Sequence, residues 1–119
     1  MLEDDSEGYI SHLIDNNFLN EKRFSESYVR GKFNINSWGK IKIIKELESR
    51  KISLANINNG LSEINDKDYI KKLRVLSNKI IKESIGQPKE KLKEKLFNRL
   101  EYKGWEKELI FEEINRLIN

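Results

Sequence analysis

This sequence predicts an all-α fold of tandem three-helix, helix-turn-helix-like units stacked in an elongated, curved array, and three observations predict it. Apolar residues recur with the helical period along nearly the whole chain, and strand-like alternation is almost absent. The helical stretches are joined by links of only a few residues, with a single proline in 119 residues. The apolar pattern also matches itself at an offset of 53.

Seven helices are expected. Ser6 caps a short first one with Tyr9, Ile10, Leu13 and Ile14 on one face, and Asn16-Asn17 breaks it. A second starts at Asn20, sets Phe24 and Tyr28 together with Val29 and Phe33 beside them, and ends in Asn34-Ile35-Asn36-Ser37. Ser37 caps a third, Trp38 to Arg50, whose stripe is Ile41, Ile44 and Leu47, backed by Ile43. Ser53 caps a short fourth with Ile57, Leu61 and Ile64. Asn65-Asp66 opens the longest, where Tyr69, Leu73, Leu76 and Ile80 keep an i, i+4, i+7, i+11 register. Gly86-Gln87-Pro88 breaks the chain, with Pro88 at the first position of a sixth helix carrying Leu92, Leu96 and Leu100. Gly104 stops that helix, and the last runs from Trp105 through Ile110, Ile114 and Leu117.

At the offset of 53, Ile43 falls on Leu96, Leu47 on Leu100, Ile57 on Ile110 and Leu61 on Ile114, with Lys51 on Gly104 at the turn between. The unit is a long, a medium and a short helix. It occupies 20–64 and again 65–119, and 1–19 reads as the remnant of a preceding unit. Such units bury their apolar faces only by stacking on neighbours. Phe24, Tyr28, Trp38, Ile44, Leu47, Leu96, Leu100 and Trp105 are the expected packing core.

Composition narrows the function. Charged residues make up 36% of the chain, and the net charge of +3 hides segregation: −5 over residues 1–20, +5 over 21–51, −1 over 52–64, +6 over 65–103 and −2 over 104–119. Basic blocks between acidic ends suit a polyanion or an acidic protein surface, although solvated lysine faces give the same pattern. Without cysteine there is no disulfide, thiolate zinc site or thiol nucleophile. No apolar run approaches the roughly 18 residues of a membrane span, and the acidic start (Glu3, Asp4, Asp5, Glu7) is unlike a signal peptide. The expectation is a soluble cytoplasmic monomer. His12 is the sole histidine, no His/Asp/Glu grouping has metal-ligand spacing, and no Gly-rich loop could cradle a phosphate. Neither enzyme activity, nor a metal, nor any other cofactor is expected.

Three stretches carry a family resemblance. Phe18-Leu19-Asn20-Glu21-Lys22-Arg23-Phe24-Ser25-Glu26-Ser27-Tyr28-Val29-Arg30 is similar to the opening of the second unit of RecX proteins. Trp38-Gly39-Lys40-Ile41-Lys42-Ile43-Ile44-Lys45-Glu46-Leu47 resembles that family's Gly-x-x-Ile-x-x-Glu-Leu pattern, and Leu100-Glu101-Tyr102-Lys103-Gly104-Trp105 its Leu-x-x-Arg-Gly-Phe turn. Ser25 stands where the family usually has Ala, Lys40 where Pro is frequent, and Lys51 where Gly is expected. The resemblance implies a stoichiometric, cofactor-free regulator that binds the RecA–single-stranded DNA filament, suppresses its ATPase, strand-exchange and coprotease activities, and has some affinity for DNA, single- or double-stranded. It implies a place in homologous recombination, DNA repair and the SOS response.

The basic residues expected to meet filament or DNA are Arg23 and Arg30 on one face of the second helix, then Lys40, Lys42, Lys45 and Arg50 on the third. Lys71, Lys72, Arg74, Lys79 and Lys82 are expected along the outer side of the long helix. For any one of these, a solvated surface is the plainer reading. A stand-alone DNA-binding module is the alternative function. No helix clusters Arg, Asn and Gln for base readout, so its binding would be weak, salt-sensitive and indifferent to sequence.

Overall fold

The computed structural model describes the backbone of residues 2–118 and the side chains of residues 17–118. Six helices follow one another: α1 (Leu2–Asn34), α2 (Lys40–Ser49), α3 (Leu54–Leu61), α4 (Asp66–Glu83), α5 (Lys89–Tyr102) and α6 (Lys107–Ile118). No strand occurs among the described residues. The body measures 76 × 22 × 20 Å, elongated as the narrow apolar stripes require. Helices α1–α3 pack together as one triplet and α4–α6 as another.

The expected seven helices become six because α1 runs unbroken through Ser6, Asn16-Asn17 and Asn20. Asparagine is a weak helix former but no breaker. Helix α3 also grips the middle of α1: Asn56 Nδ2 donates to the Phe18 carbonyl at 3.1 Å, and the Ser53 N–H donates to the Glu21 carboxylate at 2.8 Å. The side chains of Tyr9, Ile10, His12, Leu13 and Ile14 lie outside the described residues.

Two apolar faces are rotated from expectation. In α1 the inward face is Ser25, Val29 and Phe33, while Phe24 is 40% exposed. Ser25 can sit there because its hydroxyl donates to the Glu21 carbonyl four residues back, at 2.9 Å. Space is short at this point: a Cβ on Gly60 of α3 would lie 2.9 Å from the Ser25 carbonyl oxygen and from Val29 Cγ2. Only glycine at 60 lets the helices approach this closely. In α2 the buried stripe is Ile43 and Leu47, with Ile44 half-buried and Ile41 exposed.

Caps follow the sequence where a side chain is in reach. Ser53 accepts the Asn56 N–H at 3.2 Å, and Asn65 accepts the Asp68 N–H at 2.7 Å. Ser37 does not cap α2: it lies at φ +57, and Gly39 is the N-cap. Pro88 is the N-cap of α5 rather than its first residue, and α6 starts at Lys107, two residues after Trp105. In α4, Tyr69, Leu73 and Ile80 are buried as expected, and Leu76 is half-buried. Ser77 and Ser84 share the buried face by bonding the carbonyls of Leu73 and Ile80.

The repeat is visible in space. Ile43 and Leu96, Leu47 and Leu100, and Ile57 and Ile110 are all buried, and Lys51 and Gly104 both take positive φ, +61 and +92. The triplets meet where the start of α2 rests on the turn after α5. There the Gly39 N–H donates to the Lys103 carbonyl at 2.8 Å, and the Ile41 N–H to the Gly104 carbonyl at 3.0 Å. Trp105, 1% exposed, donates its indole N–H to the Ser37 carbonyl at 3.0 Å. Beneath them the rings of Phe33, Tyr69 and Trp105 stack, with centroids 5.9 and 4.5 Å apart. The Tyr69 hydroxyl donates to Glu106 and accepts the Lys40 N–H at 2.8 Å. Burial first, then the hydrogen bond to Glu106, pushes the Tyr69 phenol far above its ordinary value, so it stays protonated. The start of α2 and the α5–α6 turn are thereby locked together.

Candidate functional site

The joint brings rings and cations to the surface in alternation. Phe24, Tyr28 and Lys32 are four residues apart on α1, a rise of about 6 Å per step along one face. The Phe24 and Tyr28 rings are 5.5 Å apart, and Trp38 meets Tyr28 edge-on at 6.4 Å. Arg50 lies over Phe24 and Tyr28 at 5.7 and 5.1 Å, and Lys32 over Tyr28 and Trp38 at 5.5 and 4.8 Å. Lys42 then spans Trp38 at 4.7 Å and Tyr102 of the second triplet at 4.2 Å. The row thus crosses from one triplet to the other.

Beyond Lys42, positive charge accumulates. Lys103 donates to the Asn36 carbonyl at 2.8 Å, and a recess of about 230 Å³ beside it is lined by Lys79, Glu83 and Arg99. Burial, then the charges of Lys42, Lys79 and Arg99, push the Lys103 amine below its usual value. Among the described residues, Lys32, Lys42, Arg50 and Lys103 have no carboxylate within 4 Å.

The other basic residues separate into engaged and free groups. Arg30 pairs with Glu63 at 3.1 Å, and Lys40 lies 4.5 Å over the Tyr69 ring and 4.0 Å from Asp66. Lys72 donates to the Asn34 carbonyl at 3.0 Å and covers Phe33 at 5.6 Å. Arg23, Lys45 and Lys82 are exposed. The basic side of α4 splits in two, because 100° per residue puts Lys71, Arg74 and Lys82 on one stripe and Lys72 and Lys79 on another. The first stripe borders an open groove of about 460 Å³ with Lys67, Ile70 and Val75.

Of the expected packing core, Leu47, Leu96, Leu100 and Trp105 are buried, and Tyr28, Trp38 and Ile44 are half-buried. Phe24 lies outside that core, because Ser25 takes the inward position. Sequence reasoning missed Lys32, Arg99, Tyr102 and Lys103. The i, i+4, i+8 spacing of Phe24, Tyr28 and Lys32 held a signal, whereas the approach of Tyr102 to Lys42 is long-range.

A second charged cluster is structural. Glu113 is buried against Arg116, with contacts at 2.8 and 2.9 Å, and Arg116 also reaches Asn78. Burial favours its neutral form, but bonds from Arg116 and Ser77 and the charges of Arg116 and Arg74 outweigh that and hold it below the usual carboxylate value. Among the described residues no group of three His, Cys, Asp or Glu could hold a metal ion. Among the described residues no helix is long and apolar enough to cross a membrane.

The two triplets, joined turn to turn, define a class: a helical-repeat protein built from tandem three-helix units. The family model described as "RecX, second three-helix domain" matches residues 20–61. The regulatory protein RecX of Clostridioides difficile (strain 630) is 26% identical over 113 residues, covering 95% of this chain and 53% of that protein. The chain therefore spans about half the length of the curated relative it matches. No solved structure gives a significant match. The chain is thus similar to RecX proteins, with residues 20–61 resembling their second three-helix domain.

Proposed function

We propose that this chain is a non-catalytic regulator that binds the RecA–single-stranded DNA filament and inhibits its ATPase, recombination and coprotease activities, in the cytoplasm and without a cofactor. The likeness to RecX proteins carries this reading, and the shape supports it. A 76 Å body only about 20 Å thick suits a groove that runs across neighbouring subunits of a helical filament. The two triplets, α1–α3 and α4–α6, act as the two units of the reading. Exposed cations at Arg23, Lys45, Lys71 and Lys82 are the free groups for acidic protein surface or phosphate, and Arg74 joins them while sharing its charge with Glu113. Arg30 and Lys40 contribute less, because each already has a carboxylate or ring partner.

The test is the single-stranded-DNA-dependent ATPase of a RecA protein, titrated with this chain at two salt concentrations. Inhibition at amounts too small to coat the DNA, persisting at the higher salt, is the expected result. The double variant Arg23→Glu with Lys45→Glu should weaken it. Inhibition that appears only when the chain covers the DNA, and fades steeply with salt, would instead favour the stand-alone DNA-binding module.

A further inference from the structure

We propose that copies of this chain associate head to tail, the paired phenylalanines between α5 and α6 of one copy seating in the basic groove along α4 of the next. The contact needs neither recombinase nor DNA. It stands or falls apart from the regulatory reading, although it draws on Lys71 and Arg74 as that reading does.

Two faces of the second triplet carry it. On one, the rings of Phe97 and Phe111 stack with centroids 5.6 Å apart beside half-buried Ile114, and Phe111 is 53% exposed. Glu90 and Glu94 border this patch, and Glu108 stands one turn before Phe111 on α6. Lys93 lies 4.0 Å from Glu90, whereas Glu94 and Glu108 have no cation within 4 Å among the described residues. On the other face, half-buried Ile70 and Val75, the latter 59% exposed, floor the groove of about 460 Å³, and Lys67, Lys71 and Arg74 rim it. Lys67 and Lys71 have no carboxylate within 4 Å among the described residues. One face is thus an apolar projection edged with acid, and the other an apolar hollow edged with base. Opposite edge charges steer such surfaces together, and apolar centres hold them. Nucleic acid would be repelled by the glutamates of the first face, while a second copy supplies the base and the hollow together.

Size and placement agree. A space of about 150 Å³ accommodates a benzene ring, so the groove has room for Phe111 and its neighbours. Helix α4 packs on both α5 and α6, so its outer side points away from the groove between them. The two faces therefore lie on opposite sides of the triplet, and joining unlike faces leaves one of each free for further copies. Patches one or two helices wide make a small interface, of the class below about 1,200 Å² that associates weakly. The chain is then monomeric, as its sequence leads one to expect, only when dilute.

The repeat supplies an internal control. At the offset of 53, Phe111 falls on Asn58, which is exposed in the first triplet. The unit folds with a polar residue there, so the fold does not require a second ring beside Phe97. A ring pair left in water marks a contact surface.

The experiment is sedimentation velocity on the nuclease-treated full chain, over a concentration series from micromolar to millimolar. The weight-average sedimentation coefficient should rise with concentration and pass that of a dimer. Phe111→Asn should melt nearly as the wild type does and stay monomeric. Lys71→Glu, which spoils the groove alone, should weaken association roughly tenfold. Mixed one to one, these two variants should form a two-chain complex and nothing larger. The Phe111→Asn chain keeps its groove and the Lys71→Glu chain its ring pair, so one contact is intact. A wild type monomeric at every concentration, association that survives Phe111→Asn, or a mixture no larger than its parts would overturn the proposal.

Discussion

Gly104→Ala tests the joint most directly, because the structure supplies both a cost and its control. Gly104 sits at φ +92, where an L side chain costs roughly 1–2 kcal/mol. A Cβ there would lie 2.3 Å from Lys42 Cβ and 2.4 Å from the Lys42 backbone nitrogen. Backbone cannot step aside as a flexible side chain does, so the first turn of α2 must lift. That strains the bonds from Gly39 N–H to Lys103 and from Ile41 N–H to Gly104, each worth about 0.5–1.5 kcal/mol net. The sum is about 2–5 kcal/mol, a fall in Tm of at least ~6 °C for a chain of this size. Gly86 supplies the control: its φ is +97, and a Cβ there would meet nothing within 4 Å. Gly86→Ala should therefore carry the conformational cost alone. Thermal melting of both variants by circular dichroism isolates the joint as the difference between them. Equal losses would refute the claim that the triplets are locked through this turn.

Three other perturbations probe the same scaffold. Tyr69→Phe removes the acceptor of the Lys40 N–H and the donor to Glu106, and urea unfolding should show a loss of about 1–3 kcal/mol. Lys40 is the first residue of α2, where proline is tolerated, so in a Lys40→Pro background with no N–H to satisfy, Tyr69→Phe should cost measurably less. Glu21 is held below the usual carboxylate value chiefly by the Ser53 backbone N–H, then by Asn56, so its charge stabilises the fold above about pH 4.5, an effect lost as pH falls through its depressed native value. Melting curves should put Glu21→Gln about 0.3–1 kcal/mol below wild type near pH 7, with the gap closing toward pH 3. Lys51→Gly relieves a left-handed residue at φ +61 and should raise Tm by a few degrees, since the ~1–2 kcal/mol relieved exceeds glycine's ~0.4–1 kcal/mol unfolded-state cost.

Class, order and most boundaries were legible because they rest on local signals. Ser53 and Asn65 cap where their side chains predict, and Gly104 ends α5 at positive φ. The repeat was legible too, since buried pairs such as Leu47 and Leu100 obey one period. The inward faces of α1 and α2 were not. Apolarity pointed to Phe24, but the face of α1 that meets Gly60 carries Ser25, whose hydroxyl is satisfied within its own helix. Hydrophobicity cannot announce that exchange. The continuity of α1 was hidden for a similar reason: Asn16-Asn17 looks like a stop until α3 is seen gripping Phe18 and Glu21. The basic surface was legible as charge and illegible as geometry, because only the tertiary fold brings Lys42 to Tyr102 and Arg30 to Glu63.

The two turns of the repeat show how one local conformation comes to do two jobs. Lys51 and Gly104 occupy equivalent positions, and both bend the chain through positive φ, so each lets a medium helix hand over to a short one. At Gly104 the absent side chain is also filled space: the start of α2 lies where a Cβ would be. At Lys51 the side chain is present and exposed, so no helix start can rest on that turn in the same way. The turn-on-turn contact is thus specific to the pair joined here and not a generic property of the unit. Its exactness has a consequence for the surface above it. The row of rings and cations runs from Arg50 on one triplet to Tyr102 on the other, so its spacing is set by that joint. Loosening Gly104 or Tyr69 should then disturb the outer face as well as the stability, which ties the packing of the interior to whatever the row binds.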